Sequence, residues 1–99
     1  MVVIIFRSRL ASGHDEEYVA TAKRMTDLAS AMPGFVSFKT FTNADGERLS
    51  VIEFESEEAA AAWREHPEHR QAQRRGRDAF YESYSIQVCR EVRRYSFKR

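Results

Sequence analysis

The residues best suited to chemistry sit close together. Trp63-Arg64-Glu65-His66-Pro67-Glu68-His69-Arg70 holds the only Trp, two of the three His and one of the two Pro in the chain. An imidazole such as His69 can take or give a proton near neutral pH. The indole of Trp63 can stack on a flat aromatic molecule or simply pack a helix onto a sheet. Arg70 can serve as the charge partner of an anion. His66 and His69 lie three apart, so a helix would put them on one face. No Cys or carboxylate cluster completes a metal site with them, and no metal is expected. His66 suits the cap of a helix, and His69 suits either a base or a hydrogen-bonded structural role. Phe38, Tyr81 and Tyr84 can line a pocket or fill a core. Arg70, Arg74, Arg75 and Arg77 form a basic helix end, which fits a solvated face or the attraction of an anion. No aromatic platform alternates with these arginines, so nucleic acid is not expected.

The elements that must carry these groups follow from the pattern around them. Ser56 is a good N-cap, and Glu57 and Glu58 follow it in the first turn, opposite the positive end of the helix dipole. Four alanines favour the helix. Pro67 ends or kinks it and is well placed to begin another. Two helical pieces are therefore expected, Glu57–Glu65 and Pro67–Asp78, with Trp63, His66 and His69 around their elbow. Before them, Val2–Leu10 reads as a strand. His14–Met32 reads as a helix with an apolar stripe of Tyr18, Ala22, Met25, Ala29 and Met32, flanked by Val19 and Leu28. Phe35–Thr42 and Arg48–Glu55 read as a hairpin around Asn43-Ala44-Asp45-Gly46. A last strand is expected over about Tyr84–Tyr95.

The order β-α-β-β-α-β predicts an α+β, ferredoxin-like fold with a four-stranded antiparallel sheet. Apolar residues occur at both parities of the first three strands. Two helices can cover only one face of such a sheet, so a second copy of the chain is expected on the other face, reached by the long last strand.

Ninety-nine residues, 42% hydrophobic and 31% charged, fit residues 1–99 as a single globular domain. A net charge of +1 gives no reason to expect a polyanion or an anionic membrane as partner. No apolar run approaches the roughly 18 residues that would span a bilayer. The opening Met-Val-Val-Ile-Ile-Phe lacks the basic n-region of a signal peptide. Cys89 is alone, so no internal disulfide forms, and a cytoplasmic setting is expected. No nucleotide-binding glycine loop, nucleophile elbow or catalytic carboxylate pair appears.

Over nearly its whole length the chain resembles the antibiotic biosynthesis monooxygenase domains of the dimeric α/β-barrel superfamily. The resemblance rests on size, strand order, the Pro33-Gly34-Phe35 entry to the second strand, and the Trp63–Arg70 stretch followed by a basic, Gln-rich helix. It implies a homodimer whose protomers each enclose a pocket between sheet and helices. It also implies a cofactor-independent monooxygenase using O₂ on an aromatic quinol or phenolic molecule. Trp63 and His69 would then be catalytic, with Phe38, His66, Arg70 and Tyr81 binding substrate. Two departures matter. Haem-degrading relatives carry an axial His where Gln73 stands, which argues against haem. They, and some quinol oxygenases, carry a first-strand Asn where Ser8 stands. That departure keeps a non-catalytic small-molecule-binding dimer as the alternative, ahead of a haem-degrading monooxygenase.

Overall fold

The computed structural model describes residues 1–99. Its first strand, β1 (Val2–Leu10), lies inside a four-stranded antiparallel sheet, because its run of β-branched residues can be covered on both edges. On one side it pairs with β3 (Arg48–Phe54), Val2 facing Phe54 and Ser8 facing Arg48. On the other it pairs with β4 (Tyr81–Arg90), Ile4 facing Val88 and Ser8 facing Tyr84. The outer strand on the β3 side is β2 (Phe35–Thr42), giving the order β2-β3-β1-β4. This is the α+β, ferredoxin-like arrangement expected.

Because side chains alternate along a strand, each register row has a defined face. Val2, Ile4, Phe6 and Ser8 share one face with Ile52 and Phe54, and the core forms there. Phe54 is fully buried, and Ile52, Val2, Ile4 and Ser8 nearly so.

Three helices cover this face. The first, α1 (Asp15–Ala31), starts with Asp15, Glu16 and Glu17 and buries Leu28 and Ala29. Met25 and Met32 pack against the core beside them. Val19, placed on the flank of the stripe, is exposed instead. Gly34 follows with φ 84°, and a Cβ there would stand 2.7 Å from that of Ala59. Glycine is required on both counts.

The second helix, α2 (Glu57–Arg64), begins at Ser56, whose Oγ accepts from the Ala59 N–H at 3.1 Å. The third, α3 (Pro67–Arg75), has Pro67 in its first turn and buries no residue of its own. Two bidentate ion pairs tie it to α1 instead. Arg24 grips Glu68 at 2.6 and 2.7 Å, and Arg75 grips Glu17 at the same distances.

Two sequence expectations need correction. The last helix does not run on to Asp78 as an α-helix; it widens into a π turn, Gly76–Phe80. A Cβ on Gly76 would lie 2.7 Å from the Tyr81 ring, so the missing side chain lets that ring settle against the backbone. The wider turn places Phe80 in the core and starts the strand early, at Tyr81. The strand also stops early, at Arg90 rather than Tyr95. Its sheet neighbour β1 begins at Val2, so residues beyond 90 have no ladder to join; the last bond runs from Glu91 N–H to Met1 C=O. The tail leaves the edge, and Arg94 pairs with Glu53 on β3, on the sheet face away from the helices.

Candidate functional site

Between the sheet and the helices lies a cavity of about 340 Å³, at the small end of the range for pockets that hold drug-sized molecules. The register builds its floor in rows. Arg48, Ser8 and Tyr84 align across β3, β1 and β4; Ser50, Phe6 and Ile86 form the next row; Ile52, Ile4 and Val88 the third. The floor therefore runs from a polar end at Arg48 to an apolar end at Ile52. Its mouth opens over β4, where Tyr84, Ile86 and Val88 remain 40–54% exposed.

Trp63 closes the apolar end. The α2 helix ends one residue after it, and Pro67 turns the chain back so that α3 brings His69 against it. The two rings stack with centroids 4.1 Å apart and planes 18° from parallel. Phe38 meets the indole edge-on at 6.0 Å, and Phe54 lies tilted at 33° to it at 5.7 Å. The indole is 5% exposed, and its Nε1 has no hydrogen-bond partner. A buried N–H left unpaired is costly, and a ligand oxygen would satisfy it.

His69 Nδ1 lies 3.2 Å from the Trp63 carbonyl oxygen. A carbonyl only accepts, so Nδ1 carries the proton and Nε2 is left as the basic nitrogen. Burial pushes the His69 pKa below its ordinary value of 6.5, against the opposing pull of the Trp63 and Arg64 carbonyls. The imidazole is neutral at pH 7 and available as a base.

Tyr81 stands at the polar end, edge-on to Phe6 at 5.4 Å and near Tyr18 and Tyr84. Burial, followed by the neighbouring Tyr18, raises its pKa well above that of a free phenol, so it stays protonated and can donate. Arg48 lies over the Tyr18 ring at 5.5 Å.

Trp63, His69, Phe38 and Tyr81 thus line one cavity. His66 and Arg70 do not. His66 Nδ1 accepts from the Glu68 N–H at 3.2 Å and caps α3. Arg70 is exposed on the outer side of α3. Three other arginines line the cavity: Arg48, Arg64 and Arg77. Tyr18, expected only as part of the apolar stripe of the first helix, and Arg48, expected in no site, line it too. Arg48 had a signal, since it shares the parity of Ile52 and Phe54 and so must point inward.

No group of three His, Cys, Asp or Glu residues is placed to hold a metal ion. The residues present do not fit haem. Gln73 donates its amide to the Arg64 carbonyl at 3.4 Å, and His69, the one histidine of the cavity, is held by its stack and backbone bond.

The fold and the sequence both have relatives. A protein of Bacillus subtilis, the uncharacterized protein YqjZ, is 38% identical over 95 residues, covering 96% of this chain and 82% of that protein. Rv0793 from Mycobacterium tuberculosis superposes with a TM-score of 0.83 at 19% identity, over 96% of this chain and 98% of its own. SnoaB, a cofactor-independent oxygenase from Streptomyces nogalater solved in a mutant form, gives 0.79 at 14% identity over 94% of each chain. At such identities these two structures speak for the fold alone. A family model described as antibiotic biosynthesis monooxygenase matches residues 1–75, and with that match over most of its length the chain belongs to the antibiotic biosynthesis monooxygenase family.

Proposed function

We infer that the protein is a cofactor-independent monooxygenase that oxidises an aromatic quinol or phenolic molecule with O₂. The observation that carries this reading is the neutral His69, stacked on Trp63 at the wall of an apolar cavity of aromatic size. In such a reaction the ring supplies the electrons. His69 Nε2 takes a proton from the bound molecule, and the resulting anion reduces O₂. For an anthrone-type substrate, one oxygen atom becomes the new ring carbonyl. The other leaves as water with the two hydrogens of that carbon, and the ring gives all four electrons. Trp63 and Phe38 hold the ring, Tyr81 donates to a ring oxygen, and the apolar floor keeps water from diverting reactive intermediates. Of the residues named from sequence, His66 acts here through the fold, as the cap of α3. Arg70 contributes only to the field outside the cavity.

The working form in this reading is a cytoplasmic homodimer of single-domain chains. Its support is the second sheet face, where Val3, Ile5, Leu49 and Val51 are half-buried and Phe41 is exposed, with no helix over them. The other reading, a binding module without turnover, draws on Ser8, which is buried and supplies no amide to polarise a substrate oxygen.

Aerobic assays with a panel of quinols and anthrones separate the two. Oxygen uptake above the uncatalysed rate, reduced at least tenfold in Trp63→Phe and His69→Ala, is expected at the usual size of a general-base contribution. Ring binding without oxygen uptake across the panel removes the enzyme reading.

A further inference from the structure

The cavity is charged in a way the chain as a whole is not. Arg48, Arg64 and Arg77 line it, and no Asp or Glu does, although the chain carries 16 basic and 15 acidic side chains in total. Low-dielectric walls around charges of one sign concentrate their field in the space between them. Arg48 is the most deeply committed of the three. Its Nε is buried and has no hydrogen-bond partner. Its guanidinium carbon lies 5.5 Å from the centre of the Tyr18 ring, which takes up no directed hydrogen bond. A guanidinium held in this way is a charged donor with no anionic oxygen to receive its hydrogen bonds.

A second donor stands at the opposite end of the floor. The indole Nε1 of Trp63 is also buried and unpaired. Trp63 packs over Phe38, which pairs with Ile52. Ile52 is four residues along β3 from Arg48, roughly 13 Å at the ordinary strand rise. Between the two donors the floor is mostly apolar, with Phe6 and Ile4 at its centre and the Thr40–Ser50 hydroxyl pair closed on itself at 2.9 Å. Two unmet donors separated by a mostly apolar floor describe a ligand with oxygens at both ends of a fused-ring body.

We propose that Arg48 is the anion-binding residue of this cavity. It selects elongated aromatic molecules that carry an ionised oxygen, a phenolate or enolate, at the Arg48 end and a carbonyl or hydroxyl at the Trp63 end. This deepens the oxygenase reading and rests on it for biological purpose, but the binding preference stands or falls by itself. Arg48 fixes which way round the molecule lies, and so which ring position faces His69.

The test uses molecules that cannot be oxidised further. Calorimetric titration compares a hydroxynaphthoquinone, whose hydroxyl is ionised at neutral pH, with its methyl ether, which cannot ionise. The native protein is expected to bind the anion about ten- to a hundredfold more tightly, the usual range for a hydrogen bond to a charged group. Arg48→Met should bring the two affinities together and Arg48→Lys should restore part of the preference. Arg70→Met, outside the cavity, should leave it unchanged. Equal affinities in the native protein overturn the proposal, and that comparison needs no variant to fold. A preference that survives Arg48→Met overturns it as well. Anion preference without oxygen uptake on quinols keeps the Arg48 site and removes the oxygenase reading; oxygen uptake without anion preference does the reverse.

Discussion

His69 shows how one residue takes its chemistry from its surroundings. Its ring is clamped between the Trp63 indole and the Trp63 carbonyl, and burial lowers its pKa below 6.5. The charges of His66 and Arg64 further disfavour the imidazolium, while the Trp63 and Arg64 carbonyls favour it. The base form therefore persists below the pH at which a free imidazole becomes protonated. In a pH profile of quinol oxidation, the acid limb attributable to His69 is expected below pH 6.5 and absent in His69→Ala. The same shift has a consequence for stability. The folded-state pKa is lowered, so below pH 6.5 the unfolded chain binds a proton that the folded chain resists. Stability conferred by the neutral ring is present above that value and declines as pH falls through it. Thermal melts of His69→Gln should depend less on pH between 6.5 and 5 than those of the native protein. A steeper dependence in the variant would count against a buried neutral imidazole. Gly76 matters for its lack of a side chain, since a Cβ there would meet the Tyr81 ring at 2.7 Å. Gly76→Ala should lose on the order of 1–3 kcal/mol, read by denaturant unfolding, as the ring is displaced.

Among the elements, α3 is the one whose position depends least on apolar burial. None of its residues is fully buried, His69 being partly enclosed by the cavity wall, and the Arg24–Glu68 and Arg75–Glu17 pairs bind it to α1. These pairs are solvent-exposed, so salt screens them. Because α3 carries His69, the clasp governs how firmly the Trp63–His69 stack is held. In the double variant Arg24→Ala/Arg75→Ala, amide exchange along Pro67–Arg75 should quicken while the β1 and β3 amides stay protected. Uniform acceleration over the whole sheet would mean that the pairs support the entire fold rather than this helix. High salt should reproduce the local effect in the native protein. The β-strands work differently: register alone assembles the graded floor, because Ser8, Phe6 and Ile4 on β1 set which side chains of β3 and β4 stand beside them.

At the level of the molecule, the two faces of the sheet have different fates. One is covered by helices and holds the cavity, which opens over β4. The other presents Val3, Ile5, Leu49 and Val51 in adjacent rows without a helical cover. A second copy placed face to face is expected to bury these residues over an area typical of stable dimers. Sedimentation at micromolar concentration should show a dimer, and Val51→Glu should shift it to monomer while leaving the cavity on the opposite face intact. A native protein that sediments as a monomer would refute the face-to-face arrangement. The C-terminal tail bears on the same face, since Arg94 pairs with Glu53 there while Val92, Tyr95 and Phe97 remain more than 80% exposed.

Local rules were enough to place most of the elements. Ser56 as a cap, Pro67 as a helix start, the turn between β2 and β3 and the alternation of β1 are all decided by groups a few residues apart, so each is legible along the chain. The pairing of Trp63 with His69 was within reach for the same reason. Beyond that range the tertiary structure decided. Where β4 stops depends on where its partner β1 begins, at the other end of the chain, with Arg90 opposite Val2. The π turn at Gly76 depends on a ring that folds back over it. That Arg70 lies outside the cavity and Arg48 lies within it follows from how α3 and β3 are rotated against their neighbours. A run of sequence specifies the charge of an arginine, but only the packed sheet and helices determine which donors are cut off from water and left without a partner.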